Sequence, residues 1–154
     1  MQYRALFRFT GVAMVALLAS AAAPVTHEHP APVRVTVFKD PNCGCCRSWI
    51  EHLRKHGFEV VARDTSDVGG AKRAGRVPQQ LYSCHTAFVN GYIVEGHVPA
   101  ADIRRLLQDK PKVAGIAVAG MPAGSPGMET GGRADAYDVV AFNRDGTTRV
   151  FARH

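Results

Sequence analysis

The sequence predicts a mixed α/β domain with the element order β-α-β-α-β-β-α, extended at its C-terminal end by an antiparallel β-hairpin. An apolar, β-branched run at residues 33–38 is followed by an amphipathic helix and a second β-rich run, which is the pattern of a βαβ unit. An Asn-Gly pair at residues 90–91 separates two further β-rich runs. A second turn, at residues 143–146, separates the predicted last strands at residues 137–142 and 147–152.

The βαβ unit consists of a strand at residues 33–38, a helix at residues 46–56 and a strand at residues 58–64. Asn42 is the predicted N-cap of the helix, and Gly57 is its stop signal. Apolar side chains recur every three or four positions along the helix, so one of its faces should pack on the sheet. Because one crossover helix joins the two strands, we expect them to run parallel with a right-handed crossover.

The middle of the chain supplies the remaining elements. A glycine-broken helix is predicted over residues 67–76, and the hairpin follows over residues 86–89 and 92–95. The same apolar periodicity predicts the last helix over residues 100–108. Residues 112–133 begin apolar and become rich in glycine and proline, which indicates a long functional or disordered loop.

The N-terminal residues predict export from the cytoplasm. Residues 1–23 have the pattern of a cleavable signal peptide: Arg4 and Arg8 precede an apolar stretch too short to span a bilayer comfortably, and small residues follow it. Residues 24–32 are proline-rich and polar, and are predicted to be a flexible leader. Residues 33–154 are then the folded domain, which has the length of a single domain.

The charge pattern argues against a nucleic-acid partner. The formal net charge is +6, but the sequence has no run of five or six like charges. Scattered charges of this kind are typical of a solvated surface and not of a nucleic-acid-binding face. We therefore predict no nucleic-acid partner, and no membrane association after signal cleavage.

Three of the four cysteines lie in one short segment, Cys43-Gly44-Cys45-Cys46, between the first predicted strand and helix. We call residues 43–46 the cysteine turn. The backbone N–H groups and the positive dipole end of a helix N-terminus favour thiolate over thiol. Thiolates attack disulfides and bind soft metal ions, so the turn predicts a redox site or a soft-metal site.

Several chemistries remain open for the cysteine turn. Two structural disulfides are disfavoured, because the adjacent Cys45 and Cys46 would have to reach separate partners from one tight turn. Cys43 and Cys46 have the C-x-x-C spacing of a thiol–disulfide oxidoreductase, although Cys45 would interfere with clean exchange. One tetrahedral Zn²⁺ bound by these residues and Cys84 is a further alternative, although it would be crowded. Cu(I), a soft ion that thiolates select, tolerates low coordination and can be bridged by them.

The predicted element order is that of the thioredoxin fold, and residues 89–91 resemble the hairpin of glutaredoxins. In glutaredoxin-like proteins a cis-proline precedes this hairpin and packs against the redox cysteines. The resemblance implies that His85 occupies the position of that proline. It also implies that Cys84 and His85 lie beside the cysteine turn.

Further soft or borderline donors accompany the cysteines. Met121 and Met128 lie in the glycine- and proline-rich loop, where they have no helix or strand face to bury, and thioether sulfur is a good Cu(I) ligand. His85 adjoins Cys84 and is a candidate ligand or hydrogen-bond donor to a ligand. His97 follows a glycine at the end of the hairpin, and its role is left open.

Four segments, residues 41–49, 83–87, 92–100 and 120–129, resemble the CopG-type family of periplasmic copper-resistance proteins. The resemblance extends over residues 33–154. It implies a thioredoxin-like domain that holds a multinuclear, cysteine-bridged Cu(I) cluster. The candidate metal ligands are Cys43, Cys45, Cys46, Cys84, His85, Met121 and Met128.

The same resemblance gives an expected role. It implies a periplasmic protein that acts in copper tolerance and homeostasis, with redox cycling between Cu(I) and Cu(II) as an additional activity. The expected partners are copper ions and other periplasmic copper-handling proteins. A periplasmic thiol–disulfide oxidoreductase that uses Cys43 and Cys46 is the alternative function.

Overall fold

The computed structural model of the protein describes residues 31–154. The predicted signal peptide, residues 1–23, and residues 24–30 of the predicted leader lie outside the described residues. Among the residues that are described, no helix has both the length and the apolar character needed to cross a membrane.

The elements follow the predicted order. They are β1 (Arg34–Lys39), α1 (Gly44–Lys55), β2 (Glu59–Asp64), α2 (Val68–Gly75), a 3₁₀ turn (Gln79–Leu81), β3 (His85–Val89), β4 (Tyr92–Glu95), α3 (Ala100–Asp109), β5 (Gly115–Ala117), β6 (Asp138–Phe142) and β7 (Thr148–Arg153). Residues 31–154 thus contain the predicted mixed α/β arrangement and the predicted C-terminal hairpin, β6–β7.

All seven strands of residues 31–154 belong to one sheet, in the order β2-β1-β3-β4-β5-β6-β7. The predicted βαβ unit is present, because β1 and β2 pair in parallel on either side of α1 in the chain. β3 runs antiparallel to both β1 and β4, and β4 pairs in parallel with β5. The thioredoxin-like classification of this arrangement stays a prediction.

The two faces of the sheet carry separate apolar clusters. On one face α1 contributes Trp49 and Leu53, and α3 contributes Ile103 and Leu106; all four side chains are fully buried. The second cluster includes Ile93, which points away from the first because successive residues of a strand face opposite sides of the sheet. The larger cluster fixes α1, and therefore the cysteine turn, against the sheet.

The start of α1 differs from the prediction. Cys43 is the N-cap instead of Asn42, and its Sγ accepts a hydrogen bond from the backbone N–H of Cys46 at 3.3 Å. The backbone N–H of Asn42 instead donates to Oδ1 of Asp40 at 2.8 Å, which closes the turn before the helix. The sequence rule that ranks Asn above Cys as an N-cap is overridden here because the thiol itself satisfies an amide of the first helical turn.

The prediction of a single long loop over residues 112–133 is wrong in its first part, where Gly115–Ala117 forms β5 between β4 and β6. A Cβ atom at Gly115 would collide with the backbone of Ile93. This glycine therefore permits β4 and β5 to approach closely. The remaining segment between β5 and β6, residues 118–137, is called the site loop below.

Candidate metal centre

The structure brings the sulfur atoms of all four cysteines together at the N-terminus of α1. The four Sγ atoms lie within 4.8 Å of one another. Sγ of Cys45 is 3.6 Å from Sγ of Cys43 and 3.8 Å from Sγ of Cys84. The predicted proximity of Cys84 to the cysteine turn is therefore observed.

The four cysteines are in two chemical states. Cys43 and Cys46 are joined by a disulfide, and Cys45 and Cys84 are free thiols. Cys46 is fully buried, whereas the other three side chains are partly accessible. The C-x-x-C pair is thus oxidised, and the third cysteine of the turn remains reduced beside it.

Strand register explains how Cys84 reaches the cysteine turn from 38 or more residues away. β1 leads directly into the turn, and β3 pairs with β1 so that Lys39 lies opposite His85. Cys84 immediately precedes His85, so antiparallel pairing places it next to the residues that follow β1. The position is set by the sheet and does not depend on the disulfide.

Two buried histidines contact the thiol of Cys84. Sγ of Cys84 is 3.0 Å from Nε2 of His97 and 3.3 Å from Nδ1 of His85. We call Cys84, His85 and His97 the histidine wall. His85 packs against the indole of Trp49 with ring centroids 4.3 Å apart, and His97 meets His85 edge-on. Both imidazoles are fully buried.

The histidine wall is uncharged around neutral pH. Burial lowers the pKa of His97, and burial together with the neighbouring His97 and Lys72 lowers the pKa of His85 well below its usual value. Burial, together with nearby Cys45, raises the pKa of the Cys84 thiol to about 12. Neutral imidazoles retain a lone pair for a metal ion, and a bound cation would remove the electrostatic cost of ionising Cys84.

A buried ion pair supports the segment that carries Cys84. The carboxylate of Glu95 accepts hydrogen bonds from the backbone N–H of Ser83 and from Oγ1 of Thr86, both at 2.7 Å, and pairs with the ammonium group of Lys72. Desolvation raises the pKa of Glu95, whereas these partners lower it. The sequence reasoning did not identify Lys72 or Glu95; the available signal was a glutamate at the end of an otherwise apolar strand.

The site loop closes the centre over α1. The carbonyl of Pro126 accepts a hydrogen bond from Nδ1 of His97 at 2.8 Å. Gly127, at φ +85°, lies so close to the backbone of Cys45 and Trp49 that a Cβ atom would be 2.7–2.8 Å from it. The hydroxyl of Ser83 donates to the carbonyl of Gly120. The site loop, part of the segment predicted to be functional or disordered, therefore packs directly on both the turn and the wall.

The two predicted methionine ligands occupy different positions in the site loop. Met121 is 52% exposed and directly follows Gly120, which is bonded to Ser83. Met128 is partly buried, and its N–H donates to the carbonyl of Ser125 at 2.8 Å. Their roles as copper ligands stay predictions.

The fold and site define a class: a small α/β protein in which a clustered set of thiols and imidazoles forms a candidate soft-metal centre. Two solved structures of copper resistance protein CopG, designated form 1 and form 2, are similar to this chain. Each is 47% identical, with a TM-score of 0.76, and the match covers 80% of this chain and 98% of the other. The chain therefore belongs to the CopG family of copper resistance proteins.

Two further comparisons bear on the family. Residues 81–128, which include Cys84, both wall histidines and both candidate methionines, match a family described as a protein of unknown function, DUF411. No curated protein sequence matches this chain.

Proposed function

We propose that this protein binds copper as Cu(I) in a multinuclear cluster bridged by Cys43, Cys45, Cys46 and Cys84, and that it serves copper tolerance in the periplasm. The observation that carries the proposal is the convergence of four sulfurs within 4.8 Å. Two sulfurs that share one ion through bonds of about 2.3 Å can be at most about 4.6 Å apart. The separations of 3.6 and 3.8 Å at Cys45 lie inside that limit.

Reduction must precede binding by all four cysteines. The Cys43–Cys46 disulfide accepts two electrons and two protons to become two thiols, and each thiol then loses its proton when it binds metal. Cys45 lies between Cys43 and Cys84, so its thiolate is placed to bridge ions held on either side. His85, Met121 and Met128 are proposed as additional ligands around this thiolate core.

The membership in a copper resistance family supports copper over zinc as the cargo. Three ligands within four residues also crowd a single tetrahedral Zn²⁺ but suit several ions of low coordination number. We further propose export by the signal peptide at residues 1–23 and exchange of copper with other periplasmic copper-handling proteins. Cycling between Cu(I) and Cu(II) is proposed as an additional activity.

A thiol–disulfide oxidoreductase is the second candidate function, and the disulfide itself favours it. Cys43 is partly accessible at the helix N-cap, whereas Cys46 is buried, which is the usual arrangement of an attacking and a resolving thiol. Cys45 separates the two functions. Disulfide exchange between Cys43 and Cys46 does not require Cys45, whereas the proposed Cu(I) cluster requires its thiolate.

The test is a Cu(I) titration of anaerobically reduced protein against a competing Cu(I) chelator. We expect more than one Cu(I) per chain for the wild type, and a clear loss of bound copper for Cys45→Ser and Cys84→Ser, because a hydroxyl is a hard, weak donor for Cu(I). Growth in copper should fall in parallel. His56→Gln, an exposed substitution at the C-terminal cap of α1, is the matched control.

Two outcomes would contradict the cluster. The first is saturation by a single Zn²⁺ with negligible copper uptake, which favours a structural zinc site. The second is wild-type copper binding by Cys45→Ser and Cys84→Ser while Cys43→Ser alone abolishes function, which favours disulfide exchange.

A further inference from the structure

The histidine wall is a donor group that shares only Cys84 with the four-cysteine group. We propose that Cys84, His85 and His97 form a second metal site for a divalent first-row transition ion, and that this site remains available while Cys43 and Cys46 are joined. It deepens the proposed copper-binding function, because both sites belong to the same centre and both use Cys84. Its consequence is that the redox state of the turn selects which donors can hold metal.

The geometry of the three donor atoms fits one ion. Each residue offers one ligand atom, and these atoms lie within 4.8 Å of one another. Cys84 is the shared vertex, at 3.0 Å from His97 and 3.3 Å from His85. An ion bound at about 2.0–2.3 Å to nitrogen and sulfur requires its ligands to be about 3.3–3.8 Å apart in tetrahedral geometry. Shifts of a few tenths of an ångström would therefore open the group to accept a metal ion.

The hydrogen bond of His97 presets its ring for metal binding. A carbonyl oxygen can only accept, so Nδ1 of His97 carries the proton that it donates to Pro126. Nε2 is then the lone-pair nitrogen, and it points at Sγ of Cys84. Metal-ligating histidines commonly donate their other ring N–H to a carbonyl in this way, which fixes the tautomer and the orientation of the ring.

Packing orients His85 as the third donor. Its Nδ1 lies 3.3 Å from Sγ of Cys84, so Nδ1 is the nitrogen available to an ion at the wall. Trp49 and His97 hold the ring on two sides, so it cannot turn to solvent. Nε2, the other ring nitrogen, is the one buried side-chain nitrogen or oxygen without a hydrogen-bond partner in residues 31–154, and it would carry the ring proton when Nδ1 binds the ion.

The chemistry of the donors selects the class of ion. One thiolate and two imidazoles make a borderline set, which suits Cu²⁺, Zn²⁺ or Co²⁺, whereas the four thiolates of the reduced centre are a soft set that suits Cu(I). Affinity among divalent ions should follow the usual order, with Cu²⁺ the strongest. Partly exposed Cys84 provides access for the ion, because both histidines are fully buried.

Titration with Co²⁺ tests the second site without redox chemistry. The protein is used with its disulfide intact, verified by two free thiols per chain after unfolding. We expect one Co²⁺ per chain with a sulfur-to-metal charge-transfer band. Cys84→Ser should abolish the band. His97→Gln should weaken Co²⁺ binding by at least the roughly 10–100-fold that loss of a supporting metal-site residue costs. His56→Gln should bind like the wild type.

Cys45→Ser separates the two sites. This variant should keep the Co²⁺ band in the disulfide form, although it loses Cu(I) capacity after reduction. The second site is refuted if the disulfide form binds no Co²⁺, or if its charge-transfer band survives in Cys84→Ser. It is also refuted if Cys45→Ser abolishes the band while His97→Gln preserves it. Failure of the Cu(I) titration in reduced wild-type protein would instead refute the cluster and leave the Co²⁺ result unaffected.

Discussion

The cysteine turn and the histidine wall meet at one sulfur pair, Cys45 and Cys84, but they are built in different ways. The turn is four consecutive residues at a helix N-terminus, and two of its thiols are joined to each other. The wall is assembled from β3, the segment after β4, and hydrogen bonds to the site loop. The first is a local motif whose ligand capacity changes with redox state, and the second is a tertiary arrangement whose donors are fixed by burial.

The two regions would give a metal centre different properties: the number of bridging ligands and the resistance of those ligands to oxidation. Clustered thiols provide several bridging ligands, but a two-electron oxidation removes two of them. Buried imidazoles held by packing and a carbonyl are insensitive to that oxidation and keep their orientation. A centre with both can therefore retain a metal-binding group in oxidising surroundings. Substitutions confined to the cysteine turn or to the histidine wall should therefore change metal binding in different ways.

The largest expected effect on stability comes from neutralising the buried carboxylate of Glu95. Glu95→Gln leaves the buried ammonium of Lys72 without its counter-ion and weakens the hold on the backbone N–H of Ser83. Breaking a buried ion pair in this way costs about 3–5 kcal/mol of stability. We expect a decrease of that size in the free energy of unfolding, measured by chemical denaturation, together with weaker Co²⁺ binding by the disulfide form.

Glu59→Gln is the matched control for Glu95→Gln. Its carboxylate pairs with Arg34 at 2.9 Å on the exposed end of the sheet, and such surface pairs contribute at most about 1 kcal/mol. The double variant Lys72→Met/Glu95→Gln should recover part of the lost stability, because no unpaired charge remains. Equal effects of Glu95→Gln and Glu59→Gln would show that the buried pair does not support the wall.

The sequence predicts the turn far better than the wall. Local patterns predicted α1 and its cysteines, and resemblance to a known fold placed Cys84, because strand order and register are shared within a fold. Lys72 and Glu95 could not be predicted, because charged residues are seldom buried and their pairing depends on tertiary contacts. His97 was left open for the same reason, since only the structure shows its bond to Pro126.

An intermediate effect is expected from separating the site loop from α1. Gly127→Ala forces an L residue to φ +85° and directs its Cβ at the backbone of Cys45 and Trp49. The backbone strain alone costs about 1–3 kcal/mol, and the collision adds to it. Because the neighbouring Pro126 orients His97, Co²⁺ binding by the wall should weaken, whereas Cu(I) binding by the reduced cysteines should change less.

Gly146→Ala isolates the strain from the collision. Gly146 has φ +88°, but nothing lies within 4 Å of the position its Cβ would occupy. Both variants share the backbone strain, so the difference between their free energies of unfolding measures the contact of the loop with α1. Indistinguishable stability and Co²⁺ affinity in the two variants would show that the loop does not position the wall.

The smallest expected effect concerns a hydrogen bond between α1, which follows the cysteine turn, and α3, which follows His97. Nε2 of His52, on α1, accepts from the backbone N–H of Ala100 at the start of α3, at 3.1 Å. Burial, then the adjacent His56, lowers the pKa of His52, whereas Glu129 raises it and Lys55 lowers it. Protonated His52 cannot accept this bond, so the helix start loses its acceptor in acid.

The direction of the pH dependence follows from that lowered pKa. The folded protein binds a proton at His52 less readily than the unfolded chain, whose histidines titrate near about 6.5. The free energy of unfolding should therefore fall as the pH decreases below about 6.5, until the folded-state pKa is passed. His52→Ala should cost about 1 kcal/mol at pH 7, as loss of a helix N-terminal acceptor does, and its free energy of unfolding should decrease less steeply with acid.

His52→Gln offers an oxygen acceptor that does not titrate, so it should retain more stability than His52→Ala at pH 7 and show the same less steep decrease with acid. Denaturation series from pH 7.5 to 5 on the three proteins measure both effects, and identical pH profiles would show that this bond does not couple the turn to the wall.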